Sequence, residues 1–247
     1  MSLNLGSERV SEAIIRATGH HDTQHAADDL HDRHARPFSI AISREAGTRG
    51  PVVARAVASR LGWTVYDNEL LEMVARDLHV RVRLLDDVDE RHVPWLQECI
   101  EAFAAVPAVR EGKYVRHLIE TMLSLATKGK CILVGRGSPF VLPPATTLRV
   151  RLVAPIEDRI AAICRDQNLS RQDAAQFIET TDRERVRFIK LHFQRDPADP
   201  RYYDLFLNTA QFSLTECADM IVEGLRLKSH STAVPASFNP EMALAET

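Results

Sequence analysis

Phe38-Ser-Ile-Ala-Ile-Ser-Arg-Glu-Ala-Gly-Thr-Arg-Gly-Pro-Val-Val-Ala-Arg-Ala-Val-Ala-Ser-Arg-Leu61 decides how the rest of the chain is read. The apolar run from Phe38 to Ile42 has the length of a strand. Gly47 and Gly50 follow among small or basic neighbours. Val52, Val53, Ala56, Val57 and Leu61 then recur at helical spacing, and Gly62 sits where a helix stop belongs. Strand, glycine-bearing loop and helix together aim backbone N–H groups and a helix N-terminus at an anion. Arg44 and Arg49 add cationic side chains to that loop. The strict phosphate-loop pattern G-x-x-x-x-G-K-[ST] is absent, and an ordinary strand-to-helix turn fits the same residues. The phosphate reading therefore has to draw support from elsewhere in the chain.

The chain has 247 residues, the size of one α/β domain or of one domain with extensions. Its 45% hydrophobic and 26% charged residues are ordinary for a globular protein. A net charge of -3 gives no global basic field, which argues against bulk nucleic-acid binding. The four cysteines, Cys99, Cys131, Cys164 and Cys217, form no C-x-x-C pair and read as reduced core thiols of a cytoplasmic protein. No apolar run approaches the roughly 20 residues needed to span a bilayer. No secretory leader is expected, because no basic segment precedes an apolar core at the N-terminus.

Residues 1–37 read as an extension, partly disordered or carrying a short helix over Ser11 to Ala17. His20, His21, His25, His31 and His34 are half of the chain's ten histidines. His21 and His25 could share a helix face and a metal, but no carboxylate or cysteine is fixed beside them, so a solvated arm is the better reading. Within the domain, Thr64 to Asp67 is a second short strand, and Asp67 or Asn68 can cap the helix after it. Residues 69 to about 128 are mainly helical, punctuated by Pro94 and Pro107. Tyr114, Leu118, Ile119, Met122, Leu125 and Ala126 make a packing stripe that Gly129 ends. Cys131 to Val134 is a buried-strand candidate running into Gly135-Arg136-Gly137. Leu148 to Val153 is another strand, in which Arg149 and Arg151 alternate with apolar residues.

Pro155 and Glu157 open a helix that contains Asp158, Arg159 and Arg165. Ser170-Arg-Gln-Asp173 has capping-box character and leads into Thr181-Asp-Arg-Glu-Arg-Val-Arg187. Arg183 and Arg187 are four apart and share one face; Asp182 and Arg185 are three apart. That segment fits an arginine-bearing lid over phosphates, and it fits a solvated helix with internal ion pairs equally well. Tyr203 to Asn208 reads as a last strand, Leu214 to about Leu227 as a last helix, and residues 229–247 as a disordered tail.

Alternating strands and helices, with five strand candidates, imply a mainly parallel α/β sheet covered by helices on both faces. In such sheets ligands gather at the carboxyl edge of the strands. Arg44 to Gly50, Asp67 and Arg136 all fall on that edge, and their convergence from distant positions outweighs any one of them.

Five short motifs, Ser43-Arg-Glu-Ala-Gly-Thr-Arg-Gly, Tyr66-Asp-Asn-Glu-Leu, Val134-Gly-Arg-Gly, Thr181-Asp-Arg-Glu-Arg and Tyr203-Asp-Leu-Phe-Leu-Asn-Thr, carry a resemblance over about residues 38–228. In this order and spacing the chain resembles the cytidylate kinase-like family of P-loop proteins. The resemblance implies a three-layer P-loop kinase-like fold with a helical lid. It also implies a nucleotide kinase that passes the ATP γ-phosphoryl to a nucleoside monophosphate such as CMP.

Carried over by position, Ala46, Gly47, Thr48, Arg49 and Gly50 form the phosphate loop. The resemblance implies that Arg136 grips the acceptor phosphate, with Asp67 and Asp182 beside the acceptor, and that Arg183, Arg185 and Arg187 are the lid arginines. Two departures bear on catalysis: Gly50 stands where cytidylate kinases have the loop lysine, and Pro51 where they have the Mg2+-contacting Ser/Thr. Gly137 replaces an aspartate as well. Arg44 or Arg49 is then expected to substitute for the lysine. Mg2+ is expected with the ATP, without an identified protein ligand. A catalytically weak nucleotide-binding protein with a sensing or regulatory role is the alternative, and a purely structural module with the same fold is a third.

Overall fold

The computed structural model describes residues 38–76 and 112–231, with Gln97, Ile100 and Glu101 between them. The histidine-rich segment, Cys99 and residues 232–247 lie outside the described residues.

Five strands form one sheet in the order β2-β3-β1-β4-β5, with every pairing parallel. The central strand β1 (Ser39–Arg44) lies between β3 (Cys131–Val134) and β4 (Thr147–Val153). Its residues are covered from both faces, which is why it reads as a near-continuous apolar run. The sequence predicts an end near Ile42, but pairing with the seven-residue β4 carries β1 on through Ser43 and Arg44. β2 (Thr64–Tyr66) and β5 (Leu205–Asn208) are the edges. β5 starts two residues later than expected, because a 3-10 turn over Pro200–Tyr202 takes the Tyr203 N–H to the Pro200 carbonyl.

Helix α1 (Gly50–Leu61) follows the β1 loop, with Pro51 in its first turn, where a missing N–H costs little. Gly62 ends it in the left-handed conformation, φ 67°, its N–H on the Ala58 carbonyl at 2.8 Å. Val53, Ala54 and Val57 turn inward and join Ile40, Ile42, Val150, Leu152, Cys217 and Ile221 in one core. Burial of each large side chain there contributes about 1.5–3 kcal/mol. Helix α2 (Asn68–Arg76) is capped by Asp67, whose carboxylate accepts from Leu70 N–H at 3.1 Å. Helix α3 (Lys113–Lys128) places the predicted stripe in a second core on the opposite face of the sheet.

A single short turn, α4 (Ser138–Val141), follows β3. Helix α5 (Ile156–Gln167) and the 23-residue α6 (Arg171–Phe193) follow β4. Ser170 caps α6, accepting from Asp173 N–H at 3.2 Å. A third, smaller core joins Ala46 of the loop after β1 to Ile160 and Ile163 of α5 and to Ala174 and Ile178 of α6. The lid helices are thus packed directly on the loop. The last helix, α7 (Leu214–Ser231), runs three residues past the expected domain limit at 228. Three layers around a parallel sheet of order 2-3-1-4-5 make this a P-loop kinase-like fold with a helical lid.

Candidate functional site

β1 feeds α1 toward the β2–β3 side, while the chain after β3 crosses to β4 on the other side. The chain after β4 leads outward to β5, so the strand order reverses between the adjacent strands β1 and β4, and the crevice at their carboxyl ends is where ligands collect in open α/β sheets. A cavity of about 530 Å³ lies there, lined among others by Ser43, Arg44, Asn68, Arg136, Arg151, Asp182 and Arg185.

Arg44 turns inward. It is 9% exposed, and its stem passes so close to Gly50 that a Cβ there would lie 2.9 Å from Arg44 Cγ. Its guanidinium rests on Gly135, where a Cβ would sit 1.9 Å from Nη1. The Asn68 amide pins it, in the orientation that satisfies both of its partners: the nitrogen donates to the Val134 carbonyl at 2.9 Å and the oxygen accepts from Arg44 Nη2 at 3.2 Å. Two glycines therefore make the room that one arginine fills. Burial, then the charges of Arg185, Arg136 and Arg151, push Arg44 below its ordinary range, with Asp67 opposing them.

Arg49 turns outward. It occupies a left-handed position before α1, φ 55°, and forks onto the Asp166 carboxylate of α5, with Nε to Oδ2 at 2.7 Å. That fork holds Arg49 above its usual range and Asp166 below its own.

The rest of the loop is braced from α5 and α6. Gly47, φ 86°, leaves no space for a side chain, since a Cβ would lie 2.8 Å from the Arg159 backbone oxygen. Thr48 is buried and donates its hydroxyl to the Glu45 carbonyl at 2.8 Å. Ala46 N–H donates to Asp182 Oδ1 at 2.8 Å, so a lid carboxylate already sits on one of the loop donors. Arg159 bridges these parts, with Nη1 to Asp182 Oδ2 at 2.5 Å and Nε 3.5 Å from Glu45 Oε2.

Arg136 sits between Gly135 and Gly137 in three successive left-handed residues, at φ 85°, 50° and 81°. Its guanidinium lies over the Phe188 ring, 5.5 Å from the centroid, and burial lowers its pKa. Gly137 has a steric reason: a Cβ there would lie 2.2 Å from the Phe193 ring.

Of the lid arginines, Arg185 faces inward, its Nη1 donating to the Arg44 carbonyl at 3.2 Å, and burial is the main cause of its lowered pKa. Arg183 faces solvent and pairs with Glu179 one turn back, and Arg187 is exposed. Asp67 serves as the α2 cap and sends its charge toward Arg44, while its neighbour Asn68 is the residue that lines the cavity. Sequence reasoning passed over Asn68, Glu45, Arg151 and Arg159 as site residues.

No hydroxyl of the loop is left free for Mg2+. Pro51 lacks a hydroxyl, the Thr48 hydroxyl is buried against Glu45, and the Ser43 hydroxyl accepts from Arg151 at 2.6 Å. Among the described residues no group of three or more His, Cys, Asp or Glu could hold a metal. The loop hydroxyls are engaged within the protein, and the carboxylates nearest the loop are those of Glu45 and Asp182, both of which line the cavity. No helix among the described residues is long and apolar enough to cross a membrane.

Residues 39–211 match the cytidylate kinase-like family, and the chain belongs to it. Among characterised proteins, a cytidylate kinase of Methanopyrus kandleri is 29% identical over 100 residues, covering 37% of this chain and 52% of that one. A uronate isomerase of Corynebacterium glutamicum is 27% identical over 121 residues, covering 49% of this chain and 23% of that protein. The chain thus spans about half or less of the curated relatives it matches. Among solved structures, an uncharacterized protein from Eubacterium ventriosum ATCC 27560 superposes with a TM-score of 0.63 at 20% identity, over 77% of this chain and 99% of that one, which establishes a shared fold.

Proposed function

We propose that the protein is a nucleotide kinase that binds ATP on the Arg44–Gly50 loop and transfers its γ-phosphoryl to a nucleoside monophosphate, with CMP the first acceptor to test. The observation that carries this reading is Arg44, a buried guanidinium running over Gly50 into the crevice, where a lysine side chain would otherwise start. Phosphoryl transfer relies on positioning and charge neutralisation more than on covalent help from the protein, so an arginine cluster is the appropriate equipment. Arg136, rigidly held and backed by Phe188, suits the acceptor phosphate, and Arg185 suits the group in flight. A second cavity, about 400 Å³ and bounded by Gly47, Thr48, Arg165, Thr209 and Phe212, offers room for the donor base on the other side of the loop.

The γ-phosphorus leaves the bridging oxygen, whose electron pair stays on ADP, and bonds to an oxygen of the acceptor phosphate. No side-chain base is needed, because that oxygen is already anionic.

The alternative, a nucleotide-binding protein with little turnover and a sensing role, is favoured by Asp182 on the Ala46 N–H and by Pro51, which carries no hydroxyl for Mg2+. A coupled ADP-release screen over nucleoside monophosphates separates the two. Turnover with one acceptor, lost in Arg136→Ala, supports the kinase. ATP binding without turnover on any acceptor supports the alternative.

A further inference from the structure

Arg149 and Arg151 stand two apart on β4 and present the same face of the sheet, yet their surroundings differ. Arg149 is neutralised: its Nη2 is 3.1 Å from Asp204 Oδ1, and its backbone N–H donates to Asp204 Oδ2 at 2.7 Å. Arg151 is paired in register with Ser43 of β1 and donates from Nη1 to that neutral hydroxyl at 2.6 Å. Its carboxylate neighbour, Glu45, is 4.0 Å away and shared with Arg159. Arg151 is 11% exposed as a side chain, and its Nε is buried without a partner. A charged group held this way leaves a strong donor unused, and a buried donor without a partner is destabilising.

Arg151 lines the same cavity as Arg44 and Arg185. Its position across the sheet gives it a role. Arg136 follows β3 on one side of β1, and Arg151 projects from β4 on the other. Neighbouring strands are about 4.8 Å apart, so the two arginines flank the end of β1 from strands about 10 Å apart. Transfer between two phosphate groups needs an acceptor on one side and a donor on the other. We propose that Arg151 contacts the terminal phosphoryl group of the donor triphosphate, supplying from the sheet a charge that the loop lacks at Gly50. This rests on the phosphotransfer reading above. The chemical step is the one written there, with Arg151 donating hydrogen bonds to the non-bridging oxygens and exchanging no proton.

The competing role is a strut that ties β4 to β1 through Ser43. The test is calorimetric binding of ATP and of ADP to the parent, Arg151→Gln and Arg151→Lys. A γ-phosphoryl contact predicts that Arg151→Gln weakens ATP at least tenfold and ADP less than twofold. It predicts that Arg151→Lys loses less than Arg151→Gln. If Arg151→Gln does not fold, Arg151→Lys carries the test, with an expected loss of about threefold or more on ATP alone. A strut predicts equal losses for ATP and ADP, and that result, or no loss for either, would overturn the contact. A parent that binds ATP no better than ADP overturns it too, while leaving nucleotide binding intact. A parent that binds neither nucleotide fails the kinase reading first, and this contact with it.

Discussion

The two edges of one sheet treat arginine in opposite ways. At the amino edge, beside the start of β4, Arg149 meets Asp204, and Lys228 of α7 closes on the same carboxylate at 2.6 Å and on the Thr147 carbonyl at 2.9 Å. Burial works to raise the Asp204 pKa, but the hydrogen bonds from Arg149 and Lys228 hold it below the usual carboxylate range. At the carboxyl edge Arg44, Arg136, Arg151 and Arg185 converge on one cavity, and three of them depress the pKa of Arg44 after burial has done so. Glu45 and Asp182 offset part of that charge, through Arg159, Arg151 and Arg185, but Arg44 itself stays crowded by like charge. The amino edge is a structural tie, and the carboxyl edge is the candidate site on which the proposed function rests.

The largest expected effect that separates the two edges is at Arg44. Arg44→Met keeps a stem along Gly50 and removes the charge. Triphosphate affinity is expected to fall at least 100-fold, about 2.8 kcal/mol, by calorimetry. The melting temperature should hold or rise, since replacing a crowded buried charge with an apolar side chain is often neutral or stabilising. A variant that melts several degrees lower and still binds ATP would place Arg44 with the structural ties. By the same logic, added inorganic tripolyphosphate should raise the melting temperature of the parent and leave that of Arg44→Met nearly unchanged.

Asp204→Asn is the mirror experiment. It leaves Arg149 and Lys228, both largely buried, without their counter-charge, and is expected to cost about 2 kcal/mol in denaturant unfolding. Nucleotide affinity should stay within about twofold. The pH dependence has a definite sign. The folded pKa of Asp204 lies below its unfolded value, so its stabilisation is complete above about pH 4 and is lost as pH falls through the folded pKa. The stability gap between parent and variant should therefore narrow below about pH 4. A gap that is constant from pH 6 to pH 3 would mean the carboxylate charge is not what holds that corner.

How much of this was legible in the sequence depends on whether local spacing or tertiary partners decide. The β1–loop–α1 unit was legible, because its strand run, glycines, first-turn proline and Gly62 stop all act within a few residues of one another. The α3 stripe was legible for the same reason, its helical period being the signature of a buried face. The difference between Arg149 and Arg151 was not. Both alternate with apolar residues in Leu148-Arg-Val-Arg-Leu-Val153, and Asp204, which tells them apart, lies 55 residues away and arrives on the neighbouring β5. The lid shows the same limit. Spacing put Arg183 and Arg187 together on one helix face, and that face is exposed, whereas Arg185 reaches the loop. Periodicity says which residues share a face, and only the packing of Ile178 and Ile189 against the cores says which face is inside.

The smallest expected effect is at the loop's second arginine, and it sharpens the comparison because Arg49 lies near the binding edge yet behaves like a tie. Its guanidinium forks onto Asp166, and both side chains remain about one-third exposed. A pair this open to water is screened, and its contribution to stability should be under about 1 kcal/mol. Arg49 also holds a left-handed position, φ 55°, at the start of α1, where a glycine is at no disadvantage. Arg49→Gly removes the fork and relieves the backbone together, so the two changes offset and the melting temperature should move by no more than a few degrees. Arg49→Ala keeps the backbone cost and loses the fork, so it should be the less stable of the two. Neither variant should weaken ATP more than about threefold. A tenfold loss of ATP affinity in both variants would mean that Arg49 leaves Asp166 and swings onto the nucleotide when it binds, and the loop would then carry two phosphate-binding arginines in place of one.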